Sequence, residues 1–560
     1  MASHHTDSVA DYIIVGGGST GCVLANRLSA DPANRVILIE AGGDDRPLHN
    51  LRNFSANLNI YIPAGYFNLL KDARVNWNYM TQVDPGTGRP HSWPRGKVLG
   101  GCSSINGLMY VRGFPTDYDR WRQMGCTGWG WDDVLPYFRR AEDAERGGDE
   151  WQGSGGPQRV SNYPGRWEAI DAFIEACVEY GMPRPDHING AIQEGVCYTQ
   201  QITRDGKRAS TAASYLHPVE RRQNLTVITN AIATRILFEG KRSVGVQYEQ
   251  GGKIRQVAAA REVIVSGGAV NSPQLLELSG IGDGERLRAL GIDTIVHSPG
   301  VGENLRDHLN VAIQARLKDG VASVNGVARG LPLLGQVARY ALTREGLLSG
   351  AAGVATGYMR SRPELDMPDL QLFATAGSVD MEATMKEGRT VLEKKPGFTV
   401  GSYTMDPQSR GSVHAITPDP RAHPAITPNY LSDVRDQIGM VAQVRALRQL
   451  LKQPSLAAIV LHELPPIAGV PDTDEALLEW SRQTSFTAYH PVGTCRMGGE
   501  DGSVVDPQLR VRGVEGLRVA DASIMPTLVS ANTNAGCIMI GEKLSDMLLK
   551  EAGRGSAVAA

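Results

Sequence analysis

Apolar side chains fall into two rhythms along this chain, and the places where the rhythm changes carry most of its glycines. Tyr12, Ile13, Ile14 and Val15 form an unbroken run, the pattern of a strand covered on both faces. Gly16-Gly17-Gly18 and Gly21 interrupt it, after which Cys22, Leu24, Ala25 and Leu28 follow helical spacing. A second run, Arg35 to Ile39, ends on Glu40. The order is strand, tight turn, helix, strand. Strand runs resume at Leu225 to Ile228, Arg235 to Phe238, Gly245 to Tyr248 and Glu262 to Ser266, and Gly267-Gly268 then opens a helix carrying Leu275, Leu276 and Leu278. Near the end, Leu517 to Ala520 predicts a short strand reaching Asp521. A helix with Ile538, Ile540, Leu544 and Leu548 follows, its start expected to be capped by Asn or Thr.

The intervening stretches read differently. From Glu40 to about Asn76 aromatic residues occur without a period, which predicts a long covering segment. Helices are expected at Trp167 to Tyr180 and Ser210 to Pro218. Leu334, Val337, Ala338, Ala341 and Leu342 fall at i, i+3, i+4, i+7 and i+8, so a one-sided helix is expected there, most simply buried in the core or in a dimer contact. Phe398 to Met405 with the turn Pro407 to Gly411 predicts strand and hairpin. The fold class expected is α/β (α+β overall). A Rossmann-like nucleotide domain is assembled from 10–160, 225–310 and 485–550. A discontinuous substrate domain on an antiparallel sheet is assembled from 161–224 and 311–484, with a flexible tail at 551–560.

Composition narrows the function classes. The chain has 560 residues, 41% apolar and 21% charged, with a formal net charge of −3, which supplies no basic field for nucleic acid. Seven cysteines are scattered without a CxxC pair, so neither a disulfide framework nor a metal site is expected. The first residues lack the charged start and apolar core of a signal peptide, and no run of about eighteen apolar residues occurs. A cytoplasmic protein is expected, at most peripheral to the inner membrane. The oligomeric state stays open.

Candidate chemistry gathers at four places. Gly16 permits the tight turn, Gly18 lets the backbone approach a pyrophosphate, and Gly21 lets helix pack on strand. Glu40, nineteen positions past Gly21 (40 − 21), is placed to reach ribose hydroxyls. This reading alone leaves NAD and FAD equally open. Gly96 to Gly107 combines glycines, Ser103, Ser104 and Asn106, a surface on which something flat and polar can lie. Tyr489-His490-Pro491 holds a histidine in a turn-prone segment, and Asn532 stands just before the last helix, where it can donate to a substrate oxygen beside His490.

Taken together, these segments resemble the glucose–methanol–choline family of FAD-dependent oxidoreductases. The likeness runs through Gly16 to Glu40, Gly96 to Gly113, Gly268-Ala269 to Gly282, Val301-Gly302-Glu303-Asn304-Leu305-Arg306-Asp307-His308, and the His490 and Asn532 segments. It implies an adenine-nucleotide half at Gly16, Gly18, Gly21 and Glu40, with Ala233 matching an adenine-contacting valine. It implies a flavin ring against Gly100, Gly101, Ser104, Asn106 and Gly107, further flavin contacts at Asp521 and Thr533, and a catalytic pair of His490 and Asn532. Members that attach FAD covalently carry a histidine where this chain has Ile105, so non-covalent FAD is expected. The implied activity is oxidation of an alcohol, primary by expectation, through hydride transfer to flavin N5 with His490 as general base. The wording looks most like bacterial alcohol, polyethylene glycol and choline dehydrogenases, which implies a quinone or other carrier as electron acceptor. An oxygen-using alcohol oxidase is the alternative; a non-redox FAD-containing lyase and a nucleotide-binding regulatory protein are more remote.

Overall fold

The computed structural model describes residues 9–351, 353–362, 364–387, 390–500 and 502–553. Two seven-stranded sheets organise them. At the centre of the first lies Val9–Val15, parallel to Val36–Ile39 on one side and to the end of Lys253–Val265 on the other, with Ile14 opposite Leu38 and Ile264. Leu225–Ile228 extends the sheet beyond Val36–Ile39, and Leu517–Val519 pairs in parallel with Val263 to Val265. The strands are apolar on both faces because helices cover them, as parallel sheets require. Lys253–Val265 outruns its parallel partners and continues as an antiparallel meander with Arg242–Gln250 and Ala231–Glu239. Helices Ser19–Leu28 and Asn534–Glu551 pack against each other. A Cβ on Gly541 would lie 2.8 Å from that of Val23, so glycine permits their close approach.

Every pairing in the second sheet is antiparallel. Its order is Val460–Glu463, Leu309–Leu317, Gly397–Thr404, Leu370–Thr375, Ala355–Met359 and Gly195–Tyr198, with Phe486–Thr487 also on Leu309–Leu317. Helix Val434–Leu451 packs on its Gly397–Thr404 strand, and a separate apolar core forms around this sheet. Leu309–Leu317 begins immediately after Asp307-His308, and Phe486–Thr487 ends three residues before His490. Paired neighbouring strands thus deliver both segments to one place.

Several expectations change. The stretch after Glu40 is not a bare loop but contains helix Phe54–Tyr61 and shorter helical turns. The helix expected at Ser210 to Pro218 is a wide turn, Ala212–Leu216, tightening into His217–Val219. Gly397–Thr404 forms no hairpin through Pro407 to Gly411; Ser412–His414 pairs instead with Ala425–Thr427. The periodic helix exists as Gly330–Thr343, but its stripe is not buried: Leu334 is 64% and Leu342 85% exposed, and Tyr340 is its buried residue. Periodicity reports that one face is apolar and leaves open what covers it. The tail expected at 551–560 lies outside the described residues from 554 on.

Candidate active site

A cavity of about 1150 Å³ runs between the two sheets, from the Gly16 turn to the inner face of the antiparallel sheet. At the turn, Gly16 has φ +108°, a left-handed value that favours glycine. A Cβ on Gly21 would sit 1.9 Å from the Gly16 carbonyl oxygen, so this glycine packs helix on strand and is not part of this cavity's lining. Gly18 differs: a Cβ there meets only the Ser266 oxygen, at 4.0 Å, and the residue faces the cavity. Glu40 is buried with its carboxylate accepting the backbone N–H groups of Gly17 and Gly42 at 2.8 and 2.7 Å, and burial pushes its pKa up to about 7. It lines the cavity, as do Ala233, Asp521 and Thr533.

The second glycine run divides. Gly101, Asn106, Gly107 and the intervening Ile105 line the cavity. Gly100 and Ser104 do not: Ser104 is fully buried and donates to the Leu99 carbonyl at 2.7 Å, while Gly100 makes the positive-φ turn behind the wall. Both belong to the short helical turn Gly101–Ser104, Ser104 as its last residue and Gly100 as the residue before its start. Asp521 spends its carboxylate on Gly268 N–H, Ser272 Oγ–H and Ser523 N–H, tying the first turn of helix Gly268–Leu278 to the short turn that Asp521 itself caps.

The cavity has the character a dinucleotide needs. Ser266 Oγ and Asn534 Nδ2 are buried without a hydrogen-bond partner, and both residues line it. Buried polar atoms of this kind cost free energy unless a ligand or water satisfies them. Glycine at Gly18, Gly107 and Gly268 leaves open space where a Cβ would otherwise stand. These features fit FAD.

At the far end His490 and Asn532 meet, with Asn532 Nδ2 3.0 Å from His490 Nε2. Asn532 does not cap the last helix, which begins at Asn534 without a side-chain cap; its Oδ1 instead accepts from Gln371 Nε2 at 3.3 Å. Gln371 in turn accepts from the Tyr403 hydroxyl at 2.6 Å. His490 is held from behind. Its backbone N–H donates to Asp307 Oδ1 at 2.8 Å, while Asp307 Oδ2 accepts the hydroxyls of Tyr430 and Thr487. Tyr489, at φ +65°, turns the chain so that this bond can form. His490 Nδ1 lies 3.0 Å from His308 Nδ1, and His308 Nε2 lies 2.9 Å from the Met405 carbonyl. Tyr403 stacks on the His308 ring at 4.4 Å. Burial first, then the cost of a second charge beside His308 and the Arg95 guanidinium, holds the His490 pKa well below the ordinary histidine value, so the ring is neutral near pH 7. Burial likewise lowers His308 to about 4 and raises Asp307 to about 6.

Asp307, His308, Gln371 and Tyr403 carried no individual role in the sequence reading. The first two stood in plain view inside the Val301 to His308 motif; Gln371 and Tyr403 are single polar residues in strands with nothing local to mark them. Among the described residues no group of three His, Cys, Asp or Glu side chains is arranged to hold a metal ion.

Comparison with known proteins identifies the family of the chain. The GMC oxidoreductase pattern matches residues 10–310 with its N-terminal part and 407–541 with its C-terminal part. The chain is 41% identical over 547 residues to the mitochondrial choline dehydrogenase of Homo sapiens, covering 96% of this chain and 89% of that one. It is 40% identical over 550 residues to an alcohol dehydrogenase [acceptor] of Pseudomonas putida, covering 97% and 96%. The crystal structure of a pyridoxine 4-oxidase from Mesorbium loti superposes with a TM-score of 0.84 at 31% identity, covering 96% of this chain and 99% of that one. With these matches spanning nearly its whole length, the chain belongs to the GMC oxidoreductase family and is an enzyme acting on CH–OH groups.

Proposed function

We propose that this enzyme oxidises an uncharged, mainly apolar primary alcohol to its aldehyde, with FAD bound non-covalently and electrons passed to a quinone or other carrier. The observation that carries the reading is the His490–Asn532 pair, one ring nitrogen and one amide N–H converging 3.0 Å apart at the end of the cavity. An alcohol oxygen entering between them would accept from Asn532 Nδ2 while its proton goes to His490 Nε2. Asn532 then steadies the negative charge growing on oxygen, where a preorganised donor has its largest effect. Bound flavin would supply the hydride acceptor at N5. Gly16, Gly18 and Glu40 would hold the adenosine half, with Ala233 near the base. Gly101, Asn106 and Gly107 would carry the ring, with Asp521 and Thr533 beside it. Ile105 offers no nucleophile for covalent attachment.

The lining favours an uncharged substrate. Its described residues include two carboxylates, Glu40 and Asp521, and both are bound to backbone at the dinucleotide end. Phe373, Val379, Leu464 and Trp480 line the cavity on the side of the antiparallel sheet, so a cationic alcohol would meet no opposing charge there. Contact with a membrane surface is supported by the exposed stripe on Gly330–Thr343, next to Leu333, Leu347 and Leu348 of the cavity lining.

The purified protein should be yellow, release free FAD on acid denaturation, and be bleached anaerobically by at least one alcohol among ethanol, 1-octanol, benzyl alcohol and choline. His490→Ala should keep FAD yet lose about two to four powers of ten in turnover. Colour that survives every alcohol overturns the redox assignment, faster bleaching by choline than by 1-octanol overturns the substrate class, and stoichiometric peroxide in air would move the acceptor to oxygen.

A further inference from the structure

His490 acts as a base through Nε2 only if its single proton sits on Nδ1, and a free imidazole chooses between the two nitrogens with little preference. The surroundings of His308 remove that choice. Met405 presents a carbonyl oxygen 2.9 Å from His308 Nε2, and a carbonyl only accepts, so Nε2 of His308 carries the proton. The His308 ring is fully buried and stacked on Tyr403, where burial keeps it neutral. A neutral ring protonated at Nε2 has a lone pair at Nδ1. That lone pair faces His490 Nδ1 at 3.0 Å, with the two rings at 90°, and the contact is a hydrogen bond only if His490 donates from Nδ1. Nε2 of His490 is then left with its lone pair, directed at Asn532.

We propose that His308 is the positioning residue that fixes His490 in its Nδ1–H tautomer, through the relay Met405 carbonyl, His308, His490. The inference rests on the reading of His490 as the general base. The relay is rigid at both ends: Asp307, the residue before His308, accepts the His490 backbone N–H, and the His308 carbonyl accepts the Ala488 N–H at 2.8 Å. Adjacent residues thus hold the main chain and the ring of the same histidine. When His490 takes the substrate proton, its Nδ1–H stays bonded to a neutral acceptor, so no second proton has to move. The charged and titratable groups around the pair are Arg95, Asp307, Tyr403, Tyr489 and Asp406.

Two substitutions separate this role from simple packing. His308→Phe keeps a flat ring against Tyr403 but removes the acceptor; His308→Gln supplies in one amide both a donor for the Met405 carbonyl and an acceptor for His490. Both are compared with wild type in anaerobic stopped-flow bleaching by whichever of ethanol, 1-octanol, benzyl alcohol or choline reduces the wild type fastest. His308→Phe should retain FAD and lower the limiting rate by about 10² to 10⁴, the upper figure being the cost of a wrong histidine tautomer in a hydrolase triad, with KM changed less than the rate. His308→Gln should recover to within about tenfold of wild type. Nitrogen NMR of the holoenzyme labelled in histidine, with His490→Gln to assign the signal, should show His490 protonated at Nδ1. A His308→Phe rate equal to wild type, a Gln variant as slow as Phe, or His490 protonated at Nε2 overturns the proposal. If no alcohol bleaches the wild type, the functional reading fails; the NMR signal then judges the tautomer by itself.

Discussion

Replacing Asp307 tests how the site is held together. Its carboxylate accepts the His490 backbone N–H at 2.8 Å and the hydroxyls of Tyr430 and Thr487, all inside the protein. In Asp307→Ala the two hydroxyls can rotate toward each other, but the backbone N–H has no other acceptor. One orphaned buried donor costs about 1–3 kcal/mol and a lost charge-assisted bond about 1.5–3 kcal/mol, so a total near 3–5 kcal/mol is expected. Asp307→Asn should behave differently, since its amide oxygen still accepts from His490 while its NH2 meets hydroxyls that can turn to accept. Its cost depends on pH. Burial raises the Asp307 pKa from 3.8 to about 6, so the folded protein binds this proton more tightly than the unfolded chain. The resulting stability is complete below pH 3.8 and is lost as pH rises through 6. Going from pH 8 to pH 5 the wild type should therefore gain about 1.4 kcal/mol over Asp307→Asn, with the two within about 1 kcal/mol at pH 8. Denaturant unfolding of the holoenzyme followed by tryptophan fluorescence measures both differences, and stopped-flow bleaching reports whether His490 has shifted. The reasoning fails if Asp307→Ala lies within about 0.5 kcal/mol of wild type, or if the Asn difference grows with rising pH.

Three further outcomes are expected. Because the His490 pKa is depressed, the base stays neutral down to low pH and activity is lost only as pH falls through that lowered value. The limiting rate of flavin bleaching should thus be flat from about pH 6.5 upward, and an acid limb centred between 7 and 8 would contradict it. Gly18→Ala has room for its methyl group, with one atom at 4.0 Å, and should fold while losing FAD. Gly21→Ala, with an oxygen at 1.9 Å, should fail at folding itself; expression yield, thermal midpoint and FAD content distinguish the two. Leu334→Glu with Leu342→Glu should abolish sedimentation with vesicles of phosphatidylglycerol and phosphatidylethanolamine while leaving alcohol oxidation in detergent-free buffer unchanged. Equal sedimentation of variant and wild type would remove the lipid contact.

What the sequence determined by itself was whatever short-range chemistry encodes. The Val9–Val15 strand, the Gly16 turn and the following helix were legible because a glycine at φ +108° and a change from an unbroken apolar run to helical spacing are local facts. His490 and Asn532 were legible as candidates because small, turn-prone neighbours set them apart. Tertiary structure decided the rest. It left Gly100 and Ser104 off the cavity lining while their neighbours Gly101, Cys102 and Ile105 stand on it, a division along the short turn Gly101–Ser104 that no local pattern announces. It left the stripe of Gly330–Thr343 uncovered, although the period would be the same in a buried helix. It also gave His490 a neighbour 182 positions away, His308, whose Nδ1 lies 3.0 Å from its own. Periodicity and backbone preference act over a few residues, whereas hydrogen-bond direction and burial depend on groups that only folding brings together. The sequence therefore named His490 as the candidate base, and packing of the antiparallel sheet placed His308 against its Nδ1.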